Sequence, residues 1–496
     1  MDWKKLQNGS DIRGVALEGV PGENPNITPE VTSIIAKAFI KWLVKRTKAD
    51  LVSIAIGMDS RLSGPMLKQA FIDGAVETGI TIYDCGLAST PAMFMTTVDK
   101  KLAVTGGVMI TASHLPFNRN GIKFFTKDGG LEKADIAEIL DIANRGELPV
   151  DRAGGLCVLY DFMARYKAHL VEYIRSEVKA DSFRRPLDGL RIIVDAGNGT
   201  GGFFVDVLEE LGANTTGSQF TEPDGHFPNH IPNPEDRKAM ASVCQAVVKN
   251  NADLGIIFDT DVDRSAIVLR KGAPINRNSL IALIAAIILK EHPGSTIVTD
   301  SVTSDGLAEF IIQHGGKHHR FKRGYKNVID EGIRLNKSGE ECWLAIETSG
   351  HCALRENFFL DDGAFLVAKL IVQAARMRKD GKELQDLISS LRQPVESVEV
   401  RFKVNADDVA EYGQAVLDRV STVAPTIDGW KVVCPNYEGV RVSCTNEDEQ
   451  GWFLLRKSLH DPVLPLNIES DFNGGVEVIR QKLLEVLKPF DKLTIM

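Results

Sequence analysis

Closely spaced cysteines are missing from this chain. Its seven cysteines, at 85, 157, 244, 342, 352, 434 and 444, are scattered, odd in number and never in CxxC spacing. That pattern argues against a zinc site or a disulfide framework and predicts free thiols in a reducing compartment. No basic tract is present, and 58 Lys+Arg against 67 Asp+Glu give a net charge of −9. A nucleic-acid partner is therefore not expected. Long apolar runs are absent too. The longest, 280–289, falls between Ser279 and Lys290, well short of the roughly 18 residues that span a bilayer, and reads as a buried helix. The basic residues of the first fourteen positions are not followed by an apolar segment, so the expectation is a cytoplasmic protein with no membrane partner.

What is present suits a soluble globular protein of several domains. The 496 residues are 44% apolar and 25% charged, enough for about three to five packed domains. Thr28-Pro29-Glu30 has the form of a helix start, and Val31, Ile34, Ile35, Ala38, Phe39, Trp42 and Leu43 then recur on one helical face. A strand at 51–56, a polar loop at 57–61, a helix at about 64–78 closed by Gly79, and a strand at 80–83 form a βαβ unit. The same order returns at 190–212 and at 296–316, which predicts three similar α/β domains. Beyond about residue 392 the texture changes: strand-like 395–404, helical 407–420, strand-like 430–433 and 452–455, and a final helix near 475–487. This is the pattern of a smaller α+β domain. Gly and Pro breaks near 154–155, 272–274 and 393–394 divide the chain into 1–154, 155–273, 274–392 and 393–496.

Four stretches carry chemistry. Leu254–Arg264 runs an apolar strand straight into Asp259, Asp261 and Asp263. Three hard oxygen donors at alternate positions suit Mg²⁺; the plainer alternative is an acidic surface turn. An EF-hand is excluded, because its sixth position would be Arg264 and its twelfth Arg270, where glycine and glutamate are required. In the second stretch, strand 108–110 feeds Thr111-Ala112-Ser113-His114, with Asn118, Arg119, Asn120 and Lys123 following. Such a loop can present Ser113 to a phosphate or metal with cations nearby, or be an ordinary turn. It lacks the G-x-S-x-G elbow of an acyl-transfer serine. The third stretch, Glu347-Thr348-Ser349-Gly350-His351 with Asp361-Asp362 beyond it, offers acceptors, a hydroxyl and an imidazole suited to sugar hydroxyls, or is an ordinary turn. The fourth, Arg456-Lys457-Ser458-Leu459-His460-Asp461-Pro462, suits a phosphate dianion, or is a solvated basic turn.

In this order the four stretches resemble the α-D-phosphohexomutase superfamily, in its phosphomannomutase/phosphoglucomutase branch. SDIRG at 10–14, MDSRLSG at 58–64 and PDGHFPNHIPNPE at 223–235 extend the likeness over nearly the whole chain. The resemblance implies a heart-shaped protein of three mixed α/β/α sandwich domains and a smaller fourth, with a central cleft. It implies that Ser113 is the phosphoryl carrier, which gives its phosphoryl group to a hexose monophosphate and forms a hexose 1,6-bisphosphate. That intermediate turns end for end and returns its other phosphate to Ser113. Mg²⁺ would be held by Asp259, Asp261, Asp263 and a Ser113 phosphate oxygen. Arg13, Lys123 and His351 are implied in proton handling or charge stabilisation. Arg264 would support the metal loop and, with His114, join the substrate-binding residues. Glu347 and Ser349 would bind sugar hydroxyls, Tyr325 would lie in the substrate loop of the third domain, and Arg456, Ser458 and His460 would hold the phosphate that is not reacting. Small-molecule sugar phosphates are the implied partners.

The sequence departs from the family pattern at several places. Leu115 replaces an Asn of the serine loop, Thr260 and Val262 replace glycines of the metal loop, and Tyr325 stands at a usual His. Ile346 stands where Gly normally precedes the sugar-binding Glu. Thr348 occupies a variable position often linked to substrate preference. Leu459, His460 and Asp461 replace the usual Asn/Gly, Thr and Glu. Three rivals follow: a phosphoglucosamine mutase, which usually has Gln where Thr348 stands; a phosphatase using Asp259 as nucleophile; and a silent sugar-phosphate binder.

Overall fold

The first long helix, Pro29–Thr47, starts at the predicted Thr28-Pro29, with the Thr28 side chain accepting the Val31 N–H. It belongs to a computed structural model that describes residues 2–48, 51–149, 151–180, 182–458 and 461–496. The chain forms two units, residues 1–284 with 349–387, and residues 285–348 with 388–496.

In the first unit the predicted βαβ pattern becomes a large mixed sheet. Strands Leu156–Leu159, Thr81–Leu87, Ser53–Met58 and Gly106–Ile110 run parallel, and Arg119–Thr126 and Asp11–Val15 continue the sheet antiparallel. The second strand begins at Ser53, not at 51, because Leu51 is solvent-exposed. The buried face of Pro29–Thr47 holds Phe39 against Phe71 and Phe124, with ring centroids 6.5 and 4.4 Å apart. Gly107 lets helix Thr90–Val98 close on the sheet, since a Cβ there would lie 2.5 Å from the Met93 carbonyl. The serine loop leaves the carboxyl end of Gly106–Ile110, where parallel strands commonly present ligand loops.

A second sheet in the same unit has the order Ala273–Ile275, Ser265–Leu269, Leu254–Phe258, Ile192–Asp195. Leu254–Phe258 and Ser265–Leu269 are an antiparallel hairpin closed by Phe258 and Ser265, so the three aspartates occupy its connecting loop. Helix Gly363–Arg378 packs on strand Ser265–Leu269 and on helix Phe162–Val178. The apolar run 280–289 lies inside helix Arg277–Glu291 and is wholly buried, as its length implied.

The second unit contains parallel strands Lys317–Arg320, Thr296–Thr299 and Cys342–Ile346. It also contains an antiparallel sheet in the order Trp430–Val432, Val440–Cys444, Gly451–Leu455, Val463–Ser470, Glu396–Val404, Leu493–Ile495. Helices Val409–Val423 and Gly475–Leu487 bury Val416, Val420, Ile479 and Leu483 against Phe402, Phe453 and Leu466. The molecule is thus three α/β/α domains and a C-terminal sheet domain, as expected.

Strand Val463–Ser470 was not expected. Pro465, Asn467 and Glu469 break its apolar pattern, yet all eight residues are buried. Glu469 accepts a hydrogen bond from Trp452 Nε1 at 3.0 Å, and the Arg441 guanidinium stacks 3.5 Å from the Trp452 ring centre. Burial pushes the Glu469 carboxyl up from 4.5 to about 7, against the pull of Arg441. Because the folded value exceeds the unfolded one, the stability this group contributes is complete below about pH 4.5 and is lost as the pH rises to 7. The loss is on the order of 3 kcal/mol. Glu469→Gln, which keeps the Trp452 acceptor, is expected to abolish that part of the pH dependence. Urea unfolding at pH 4.5 and 7.5 checks it; equal slopes in parent and variant would contradict it.

Candidate active site

The serine loop is shaped from below by one buried guanidinium. Arg61 donates to the main-chain carbonyls of Ser113 and Leu115, of Pro116 at 2.8 Å and of Arg119 at 3.0 Å. Asp59 lies 3.4 Å behind Arg61 and accepts the Thr111 hydroxyl at 2.6 Å. Thr111 Oγ1 in turn accepts the Ser113 N–H at 2.9 Å. Held this way, Ser113 adopts a φ of 51°, a left-handed conformation that an L-residue adopts at some cost.

Ser113 Oγ then faces the loop that carries Asp259, Asp261 and Asp263. It donates to Asp259 Oδ2 at 2.9 Å and accepts from Arg264 Nη2 at 2.8 Å. Arg264 also reaches Asp259 Oδ2 at 3.0 Å, Asn233 Oδ1 at 3.2 Å and His114 Nδ1 at 2.7 Å. The last bond requires an unprotonated Nδ1. Burial, with Arg264 and Arg13 adding to it, pushes His114 down to about 2, so its ring is neutral. Arg13 donates to Asp11 at 3.0 Å and to the Ala112 carbonyl at 3.4 Å, which puts it on the serine loop as well.

Asp259, Asp261 and Asp263 are completely buried, with one oxygen from each within 4.8 Å of the others. Asp261 Oδ1 and Asp263 Oδ1 accept no hydrogen bond among the described residues. Buried carboxylate oxygens left without donors are costly unless a cation meets them. All-oxygen, anionic donors of this kind fit a hard divalent cation. Lys123 Nζ bonds Asp263 Oδ2 and lies 3.4 Å from Asp261 Oδ2. Burial and the neighbouring Asp263 push the Asp259 carboxyl up. Burial opposes ionisation of Asp263 as well, but Lys123, His351 and Arg264 together hold it well below the usual range. Val262 at the loop tip has a φ of 67° and is buried, an uncommon conformation for a β-branched residue.

His351 Nδ1 lies 2.7 Å from Asp361 Oδ2 and 3.7 Å from Asp263 Oδ1. Asp361 is fixed in turn by the Cys352 N–H at 3.1 Å. Burial disfavours a charged ring, yet Asp361 and Asp263 raise His351 to about 9, making it an imidazolium at neutral pH. Ser349 is buried in the same unit.

The second unit holds the remaining candidates. Glu347 Oε1 accepts the Gly324 N–H at 2.6 Å, and Tyr325 opens helix Tyr325–Lys337 directly after it. Arg456 is buried, 4.0 Å from Glu438 Oε1. Ser458 Oγ accepts the Asp461 N–H at 3.3 Å. His460, with Leu459, lies outside the described residues.

Models of the phosphoglucomutase/phosphomannomutase α/β/α domains I, II and III match residues 4–149, 164–272 and 276–395. A phosphomannomutase/phosphoglucomutase of Pseudomonas putida is 30% identical over 447 residues, covering 87% of this chain and 88% of its own. The chain belongs to the phosphoglucomutase/phosphomannomutase family. A phosphoglucomutase of Neisseria gonorrhoeae is 28% identical over 481 residues, 96% of this chain and 95% of that one. The crystal structure of a phosphoglucomutase/phosphomannomutase family protein from Burkholderia thailandensis superposes with a TM-score of 0.81 at 25% identity, covering 99% and 98% of the two chains.

Against this family pattern, two departures acquire a structural setting. Thr260 packs under the loop, its carbonyl accepting Thr200 N–H at 2.8 Å and Thr200 Oγ1 at 3.1 Å. Val262 fills a buried position at a backbone angle that glycine adopts freely. Sequence reasoning missed the parts that Asp59, Arg61, Thr111 and Asp361 play around Ser113 and His351. MDSRLSG, a phosphoglucomutase/phosphomannomutase motif, was visible but suggested no task for Arg61. The Asp361-Asp362 pair was visible too, without a partner.

Proposed function

We propose that the protein is a Mg²⁺-dependent phosphohexomutase that interconverts the 1- and 6-phosphates of mannose, glucose or both, in the cytoplasm. The observation that carries this reading is Ser113 Oγ, bonded at once to Asp259 and Arg264 across 146 and 151 residues of chain. An ordinary turn serine needs no such setting. Family membership supports the reaction class, because relatives bear the names phosphomannomutase and phosphoglucomutase. In this reading 1–154 carries the phosphoserine loop, 155–273 the metal loop, 274–392 the sugar loop and 393–496 the phosphate loop. Among the described residues no helix is long and apolar enough to cross a membrane.

In the forward half-reaction a sugar hydroxyl attacks phosphorus, the bond from phosphorus to Ser113 Oγ breaks, and the proton the hydroxyl loses is balanced by the one the departing Ser113 Oγ takes from Asp259. In the return half-reaction Ser113 Oγ attacks the other phosphorus and the bond from that phosphorus to the sugar oxygen breaks. The Ser113 proton passes to Asp259 Oδ2 at 2.9 Å, and the departing sugar oxygen regains a proton. Arg264 steadies the serine oxygen in both directions, and Arg13 and Lys123 add positive charge beside the loop. His351, held as an imidazolium, stabilises charge or returns a proton. Asp259, Asp261, Asp263 and the phosphorylated Ser113 would hold the metal ion, which when bound neutralises charge on the transferring phosphoryl group. Glu347 and Ser349 take sugar hydroxyls, while Tyr325, Arg456, Ser458 and His460 serve the sugar phosphate.

Phosphorus NMR tests the proposal. With Mg²⁺ and a trace of hexose 1,6-bisphosphate, the enzyme is expected to convert mannose 1-phosphate or glucose 1-phosphate to the 6-phosphate. Accumulation of inorganic phosphate in place of the 6-phosphate would overturn it in favour of an Asp259 phosphatase.

A further inference from the structure

Strands Thr296–Thr299 and Cys342–Ile346 run parallel with Thr299 beside Ile346, so Asp300 and Glu347 leave the sheet together. Asp300 is fully buried. Its Oδ2 accepts the Thr348 hydroxyl at 2.7 Å, and its Oδ1 accepts the Thr348 N–H at 3.2 Å. Both donors of Thr348 are thereby spent on one carboxylate, and Thr348 itself is 3% exposed. Arg323 Nε stands 3.9 Å from the same carboxylate. Glu347, the neighbour in sequence, is tied through Oε1 to the Gly324 N–H. Gly324 has a φ of 116°, which excludes a side chain without strain, so this contact depends on glycine.

We propose that Asp300 is a positioning residue that sets Glu347 through Thr348, so that residue 348 is an internal anchor and not a sugar contact. The proposal rests on the phosphohexomutase reading for what Glu347 binds. Two bonds from one residue to a buried carboxylate fix both the backbone and the side chain of Thr348. Glu347 is then left one torsional route: its backbone is held on the Thr348 side and its carboxylate on the Gly324 side. A sugar-binding carboxylate prepared in this way spends little binding energy on ordering itself. Any sugar selectivity must then come from the placement of Glu347, since the Thr348 hydroxyl faces away into Asp300.

Thr348→Val removes one donor at almost constant shape, and Thr348→Ser keeps it. The valine variant is expected to raise KM for mannose 1-phosphate and glucose 1-phosphate alike by about tenfold to a hundredfold, the range for a hydrogen bond to a charged group. Its kcat should change by less than about threefold, and the serine variant should restore KM. Asp300→Asn should raise KM in the same way. Unchanged KM in Thr348→Val, or a tenfold shift for one sugar alone, overturns the anchor. Hydrogen exchange of the peptide covering 342–348 separates this from failure of the functional reading. Faster exchange in Thr348→Val but not in Thr348→Ser supports the anchor even if wild-type protein turns over no hexose phosphate, and unchanged exchange overturns it.

Discussion

Ser113→Ala is expected to leave a folded protein whose turnover of hexose phosphates has fallen by at least about a thousandfold, in keeping with removal of a covalent carrier. The substitution deletes the oxygen that accepts from Arg264 and donates to Asp259. Those two groups keep their own contact at 3.0 Å, so no buried charge is stranded. Alanine meets the left-handed φ of 51° at a cost similar to that of serine. The unfolding midpoint should therefore move by no more than the equivalent of about 1 kcal/mol. Intact-mass measurement after incubation with glucose 1,6-bisphosphate should show a phosphoryl adduct on the parent and none on the variant. Turnover within tenfold of the parent would remove Ser113 from the chemistry.

Asp263→Asn should have an effect of a different kind. Asp263 is the carboxylate on which Lys123, Arg264 and His351 converge, the first in direct contact and the others at 3.8 and 3.7 Å. An amide there leaves three cations with less to neutralise them inside the protein. Breaking a buried ion pair from one side typically costs about 3–5 kcal/mol, and urea unfolding in the presence of EDTA would show it. The same variant removes one of three carboxylates that face one another. The Mg²⁺ concentration that half-stabilises the fold should rise by no less than the roughly 10–100-fold of an outer-shell change. The folded-state pKa of Asp263 is depressed, so the stability it gives is present above the unfolded carboxylate range and is lost progressively as the pH falls below that range toward the lower folded value. The difference between parent and variant should accordingly shrink in acid. A variant as stable as the parent in EDTA, with the same Mg²⁺ dependence, would contradict this account of the loop.

Much of this site could be read from the chain because its chemistry is local in sequence. An apolar strand that ends in carboxylates at alternate positions becomes a hairpin loop carrying all three on one side, and Asp259, Asp261 and Asp263 do this. The Thr28-Pro29 start, the buried run at 280–289 and the final helix were legible for the same reason. Arg61 was not, since its acceptors are main-chain carbonyls, which every residue possesses and no motif marks. Strand Val463–Ser470 was missed because it is buried on both faces while containing Pro465, Asn467 and Glu469. Its Glu469 is satisfied by Trp452, which stands directly opposite on the neighbouring strand, a pairing that no local sequence pattern marks. Thr348 was expected at a position linked to sugar choice. Nothing in the sequence shows that its hydroxyl turns to Asp300, forty-eight residues earlier.

The guanidinium of Arg61 grips the peptide carbonyl of the serine itself and those of Leu115, Pro116 and Arg119 after it, and none of those bonds involves the serine side chain. These bonds hold the loop's contour without calling on the oxygen that the proposed reaction would esterify. In the proposed cycle, an enzyme that loses its phosphoryl group to water would lose charge while keeping these four bonds, and would stand as an empty seat of the right dimensions. Recharging by a bisphosphate then resembles refilling a battery, with no segment to be rebuilt before the next cycle.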